Sequence, residues 1–403
     1  MNKTQPPIGQ QPIRDARTLG LPKMLLLGLQ HMFAMFGATV LVPILVQGYG
    51  LPLPIQTTLF FAGVGTLFFH VCTRLKVPAF LGSSFAFLGG FQAMAQMDSG
   101  MYATMEPAEK LQYTCGGIVV ANIWGKGMIK IIPILLGVVG AYVVALIANA
   151  MGATALDAAG NVIPLMDFSG VQSSAPIGLQ PFLSNFSGSV AKFDVSAILV
   201  MAPIAIASMM EHIGDMSAIS ATVGENFIED PGLHRTLIGD GIATALAGLF
   251  GGPANTTYGE NTGVLVLSRV HDPRVIRLAA IYALVLSFSP AFAALVSSIP
   301  DAIIGGVSFI LYGMISAIGV RNVVENQVDF TNSRNLIIAA VILVCGLGFT
   351  NGLTFQVGGA SITLTSLAIA AIAGILLNAI LPGNDFHFGK TATSDTAASL
   401  GRY

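Results

Sequence analysis

The run from Met24 to Val46 contains no Asp, Glu, Lys or Arg. A stretch so long and so apolar is dimensioned for a hydrocarbon core about 30 Å thick rather than for a water-facing surface. Ile198 to Met210, Val275 to Val296 and Leu364 to Leu381 are comparably dense in apolar residues. Such unbroken runs exclude a transmembrane barrel, whose strands alternate apolar and polar residues, and a helix satisfies every backbone group inside lipid. Composition agrees. Of 403 residues, 54% are hydrophobic and 9% charged, with mean hydropathy +0.76, which excludes an ordinary soluble domain. The expectation is an all-α integral membrane protein, with the lipid bilayer as an obligatory partner.

A net charge of -2 and the lack of any basic stripe exclude nucleic-acid binding. Lys3, Arg14, Arg17 and Lys23 precede the first span, Arg74 and Lys76 follow the second, and Arg269, Arg274 and Arg277 form a further basic loop. With Arg321 and Arg334 they mark cytoplasmic loops, and the segment 151–194, whose one basic residue is Lys192, reads as external. Both termini are then cytoplasmic, in a multi-pass protein of a bacterial inner membrane. The polar start has no apolar core before a small-residue cleavage site, so the first span inserts uncleaved. Cys72, Cys115 and Cys345 lie in apolar stretches without metal-ligand spacing and read as packed thiols.

Two apolar segments are interrupted by Gly and polar residues: Val77 to Phe91 (VPAFLGSSFAFLGGF) and Gly251 to Leu265 (GGPANTTYGENTGVL). In secondary transporters such a pair, at corresponding positions of two halves, marks a midplane substrate site. Each lies about equally far into its half if the halves begin at Met24 and Val195. Beyond that point the first half is shorter than the second by two or more spanning helices of ~20 residues each. Tyr113 to Trp124 is too short to cross alone. Taken from about Pro107 it forms one abbreviated crossing, which leaves Lys126 and Lys130 cytoplasmic before the span from Ile129 to Ala150. About 12 membrane elements are expected, two of them half-helices preceded by short extended strands. The expected division is a cytoplasmic tail 1–23, first-half core segments 24–124 truncated after about 120, and a remnant of the first-half gate 125–150. An external loop 151–194, second-half core segments 195–298, second-half gate segments 299–381 and a cytoplasmic tail 382–403 follow.

Carboxylates within or beside a span are costly and are functional by default. Glu211 and Asp215, four apart, share a helix face; the alternative is that their helix has already reached the headgroups. Glu260 follows Asn255 to Gly259, which lack helical periodicity, and precedes an apolar helix, so it stands among free backbone donors at a helix N-terminus. It could instead belong to a capping cluster. Ser83, Ser84 and Phe85 offer hydroxyls and a ring able to stack on a planar ligand, or plain packing. His31, beside Gln30, lies mid-span and is either part of a proton path or a hydrogen-bonded structural residue. Tyr312 could cover the site or pack in the core. Asp240, after Arg235, reads as electrostatic support at a helix start. No HExxH, GxSxG or Ser/His/Asp pattern supports an enzyme.

LQHMFAMFGATVLVP (Leu29 to Pro43), VPAFLGSSFAF (Val77 to Phe87), EHIGD (Glu211 to Asp215), DPGLHR (Asp230 to Arg235), NTTYGENTGVLVLSR (Asn255 to Arg269) and GGVSFILYGMISAIGVR (Gly305 to Arg321) closely resemble the nucleobase-ascorbate transporter family, in its bacterial uracil permease branch. The resemblance implies a 7+7 inverted repeat divided into core and gate, and a proton-coupled symporter that needs no cofactor, carries uracil and tends to dimerise. It assigns Glu211 and Glu260 to the nucleobase, Phe85 and Gly259 to backbone contacts with it, and Tyr258 to a place beside them, and with these Ser84, read from its hydroxyl, is expected to bind substrate. It places His31 in support and Tyr312 on the gate. Proton coupling falls to Glu211, Glu260, His31 and Asp215. Asp215 stands where uracil permeases can carry His, which leaves a xanthine or purine cargo open. The family's missing spans fall between Val120 and Ile123, which leaves a nucleobase-binding protein unable to transport as a further alternative.

Overall fold

Helix-forming and helix-breaking residues alternate along this chain, and their order sets the architecture. The computed structural model describes residues 12–95, 142–143, 145–152, 154–156, 162–179, 191–299, 320, 323–324, 328–357 and 360–383. Helix α1 (Leu21–Gly48) has Pro22 in its first turn, where a missing N–H costs nothing, and contains the whole Met24 to Val46 run. Helix α2 (Ile55–Cys72) follows. The first interrupted segment then forms strand β1 (Phe80–Ser83), a single 3-10 turn Phe85–Phe87 and helix α3 (Leu88–Ala95). A hairpin of β2 (Thr154–Leu156) and β3 (Val162–Pro164) and a short helix α4 (Ser169–Ser173) lie in the 151–194 segment.

Helix α5 (Val195–Val223) starts at Asp194, whose carboxylate accepts from the Ser196 and Ala197 amides, and stops at Gly224 in the left-handed region. Helix α6 (Leu233–Leu249) leads to the second interrupted segment, strand β4 (Asn255–Tyr258) and helix α7 (Gly259–Ser268). Helices α8 (Pro273–Ser287) and α9 (Pro290–Ser297), then α10 (Ser333–Gly348), a hairpin of β5 (Leu353–Val357) and β6 (Ala360–Leu364), and α11 (Ser366–Ile380) complete the described elements.

Among the described residues α1, α2 and α5 are long and apolar enough to cross a membrane. The Val275 to Val296 run is not one straight crossing: α8 and α9 meet at a bend of 89°. Pro290 cannot donate to the preceding turn, and the Ser289 hydroxyl caps a new helix by accepting from the Phe292 amide at 3.2 Å. The β5–β6 hairpin is a second departure from an all-helical reading. Its signal was a Gly-Gly pair between two β-branched runs, which apolar-run counting passes over. The first-half crossing from Pro107, the Lys126–Lys130 loop, Cys115 and the Val120 to Ile123 junction lie outside the described residues. Cys72 and Cys345 are half-buried and are not joined in a disulfide.

Helix α2 packs between α6 and α8, and α1 packs on α8. Small residues permit this closeness: a Cβ on Gly63 of α2 would stand 2.7 Å from the Ala280 carbonyl of α8. One buried cluster joins Met32, Met35 and Ala38 of α1 with Phe80, Tyr258 and the Ala279, Ala280, Ala283 face of α8. Another joins Val42, Phe87 and Phe91 with Val200, Met201 and Ile204 of α5. Phe85 packs against both.

Residues 13–17 form a strap over one end of the helices. Ile13 donates to the Arg269 carbonyl at 2.8 Å and accepts from the His271 amide at 2.9 Å. Arg14 donates to the Val223 carbonyl at 3.1 Å and pairs with Glu225, and the Ala16 amide reaches Asp272 at 2.7 Å. Hydrogen bonding to Arg17 holds the Asp15 carboxyl at about 2, with Arg274 adding to the effect.

Candidate functional site

The two interrupted segments are brought together as strands. β1 and β4 run antiparallel with Phe80 opposite Tyr258, Leu81 opposite Thr257, Gly82 opposite Thr256 and Ser83 opposite Asn255. All eight residues are buried. A two-stranded ribbon leaves its outer backbone groups unpaired, which is costly away from water, and the neighbouring helices supply the partners. On α2 the Thr66 hydroxyl accepts from the Leu81 amide at 2.8 Å and donates to the Leu81 carbonyl at 3.1 Å. On α6 the Thr244 hydroxyl does the same for Asn255, at 3.0 and 2.8 Å. Asn255 also donates to the Phe61 carbonyl of α2 at 2.9 Å, and the Ser84 amide donates to Ala254 at 2.8 Å.

Tyr258 locks the ribbon. Its hydroxyl donates to the Ser83 carbonyl at 2.8 Å and lies 3.3 Å from the hydroxyls of Ser83 and Thr39. The ring crosses β1 where only a glycine fits: a Cβ on Gly82 would stand 2.4 Å from it. Tyr258 is 1% exposed and Ser84 2%, so both are interior. Phe85, at the end of β1, is half-buried.

Helix α5 touches both segments, packing on α3 and the Phe85–Phe87 turn and on β4 and α7. Its 29 residues span about 43 Å. Glu211 lies about 24 Å from its start and about 18 Å from its end, hence well inside the helix rather than at its terminus. Glu211 is half-buried and Asp215, one turn on, is 4% exposed. Gly259 and Glu260 form the first turn of α7, directly after β4. The helix that carries Glu211 thus packs on the short helix whose start carries Glu260, at the end of a strand pair shared by the two segments.

His31 on α1 is fully buried and meets α7 through Asn261. The Asn261 amide nitrogen lies 3.1 Å from both the His31 carbonyl oxygen and the His31 Nδ1. A carbonyl only accepts, so Asn261 presents its NH2 there, Nδ1 accepts as well, and the proton of the neutral ring sits on Nε2. That Nε2 has no hydrogen-bond partner among the described residues. Tyr312 lies outside the described residues. Asp240 does not begin a helix: α6 starts at Leu233, and Asp240 is fully buried two turns in, so support of a helix start does not account for it.

Sequence reasoning missed the ribbon's supports, Thr39, Thr66 and Thr244, which look like ordinary apolar-helix residues until the strands are placed, and it missed Asn261, which meets His31. It also missed His212, between the two acidic residues already singled out. A cleft of about 500 Å3 opens elsewhere, beside the strap, lined by Arg14, Lys76, Glu225, Glu229, Asp230 and His271, and no candidate site residue lines it.

The sequence profile of a permease family matches residues 22–124 and, in a second overlapping piece, 110–355. A uracil permease of Bacillus caldolyticus is 34% identical, over 92% of this chain and 94% of that protein. A probable uracil permease of Haemophilus influenzae is 36% identical over 89% and 94%. A putative pyrimidine permease of Escherichia coli, RutG, is 33% identical over 88% of each chain. The first of these alignments runs over 434 positions, more than the 403 residues present, so it carries gaps in this chain.

Proposed function

Since the chain belongs to this permease family, we propose that it is a symporter importing a nucleobase, uracil, together with protons. The observation that carries the reading is the buried pairing of β1 with β4 against α5, which sets two half-helices and a helix bearing two carboxylates around one place. A uracil-sized pyrimidine is planar and neutral and offers two ring N–H donors and two carbonyl acceptors. Carboxylates of Glu211 and Glu260 take the donors, and backbone N–H groups at the starts of the half-helices, at Phe85 and Gly259, take the carbonyls. Ser84 and Tyr258 hold this backbone in place from the interior.

Proton coupling follows from the same carboxylates. Two acids near one another, away from water, disfavour both being charged, so one binds a proton. We assign that step to Glu211 and Glu260, with Asp215 one turn along the same helix and the Nε2–H of His31 beside α7 as relays. Permeation leaves the solute chemically unchanged, so the reading includes no catalysis. Purified protein in proteoliposomes should accumulate radiolabelled uracil when the outside is made acidic, and a protonophore should abolish the accumulation. Accumulation indifferent to the protonophore would remove the proton from the scheme, and preferential competition by xanthine would move the cargo to the purines.

One observation favours a second reading. The family match breaks between residues 110 and 124, at the junction where the chain is expected to lack spans. A chain without part of its gate would bind the nucleobase and not move it. Uracil-dependent stabilisation in detergent without uptake would identify that case.

A further inference from the structure

His212 follows Glu211 on α5, is fully buried, and joins three elements. Its Nε2 lies 2.7 Å from the Thr236 hydroxyl on α6, and its Nδ1 lies 3.1 Å from the Thr257 hydroxyl on β4. The Thr236 hydroxyl hydrogen is committed to the Leu233 carbonyl at 2.9 Å, so Thr236 receives the ring's N–H and Nε2 is the donor. In the neutral ring Nδ1 is then an acceptor, and Thr257 donates to it. Thr257 is two residues before Gly259, where α7 begins.

We propose that His212 is a positioning residue, a neutral strut that fixes the rotation of α5 against β4 and so aims Glu211 at the place where Glu260 enters. Successive residues on a helix are turned about 100° from one another. Holding the ring of His212 between Thr257 and Thr236 therefore fixes the direction in which Glu211 leaves the helix. The two bonds do different work. The one to Thr236 ties α5 to the neighbouring helix α6, and the one to Thr257 ties it to the strand that delivers Gly259 and Glu260. An apolar residue of equal size would fill the space and set no angle.

The proposal rests on the uracil reading for its functional arm alone, and its test has an arm without ligand. Asn at 212 keeps an acceptor near Nδ1, whereas Gln keeps a donor near Nε2. The expected result is that His212→Gln and Thr257→Val each raise the half-saturation for uracil uptake by about two- to tenfold, the range that one net hydrogen bond spans. The maximal rate should be kept, His212→Asn should stay near wild type, and the Gln and Val changes should not add when combined. In the ligand-free full chain, hydrogen exchange of the amides from 255 to 261 should rise in His212→Gln and not in His212→Asn. Equal half-saturation in all variants of a transporting protein, or unchanged exchange across 255–261, would overturn the strut. A wild-type chain that neither takes up nor is stabilised by uracil sinks the uracil reading instead, and the exchange measurement still decides on His212.

Discussion

Between β1 and α3 the chain makes a 3-10 turn of three residues, two of them Phe, whereas β4 passes into α7 without a break through Gly259, Glu260 and Asn261. The two segments solve one backbone problem in one way, each by a threonine hydroxyl from the preceding helix that serves both main-chain groups of a strand residue. They differ in what they present once that problem is solved. The first offers apolar shape, with Phe85 touching both core clusters. The second continues in Glu260 and Asn261, and the Asn261 amide engages His31. The contrast teaches that a paired scaffold need not divide its chemistry equally: one strand runs on into aromatic residues and the other into an acid and an amide.

The largest effect should come from the charged side. Glu260→Gln should weaken uracil uptake about 10- to 100-fold, the worth of a hydrogen bond to a charged group, and Phe85→Ala only about two- to tenfold. Equal losses in uptake assays would erase the division of labour. Next come the two threonines. Thr66→Val and Thr244→Val each strand a buried amide and carbonyl, at roughly 1–3 kcal/mol per group, and should lower unfolding midpoints in detergent by similar amounts. A tolerated change in one and collapse in the other would show that the supports are not equivalent. Gly82→Ala drives a methyl into the Tyr258 ring and should cost about 1–3 kcal/mol. Tyr258→Phe removes one bond to Ser83, at about 1 kcal/mol, with little change in half-saturation.

The smallest effect lies away from both segments, at the strap. Burial first, and then Arg14, lower the pKa of His271, so folding favours the neutral ring. Stability from this group is complete above the unfolded value of about 6.5 and declines as pH falls below it. Protease cleavage near residue 20 should therefore quicken on acidification below that point, and His271→Asn should flatten the dependence.

Much of this division was legible before any coordinates. The apolar runs of α1 and α5 and the two interrupted segments announced themselves, because lipid demands long unbroken runs and tolerates interruption only where protein satisfies the backbone. The strand pairing was not legible in its register, since four-residue strands carry too little alternation to align. The fate of Tyr258 was hidden for the same reason: an aromatic beside a glycine and a glutamate reads as a ligand contact, and only the pairing with β1 shows that its hydroxyl is taken by Ser83. Asp240 misled because Arg235 and the Asp-Pro-Gly before it suggest a helix starting later than Leu233, where it begins. The bend at Ser289 was written in Ser-Pro and lost inside an apolar count.

The lacing of Phe80 to Ser83 with Asn255 to Tyr258 has a mechanical consequence. Two short helices tied through a common ribbon, and pinned to α2 and α6 by its outer edges, behave as a single crank rather than as two independent arms. Any displacement of α3 along its axis is therefore passed to α7, and the reverse, through the ribbon they share.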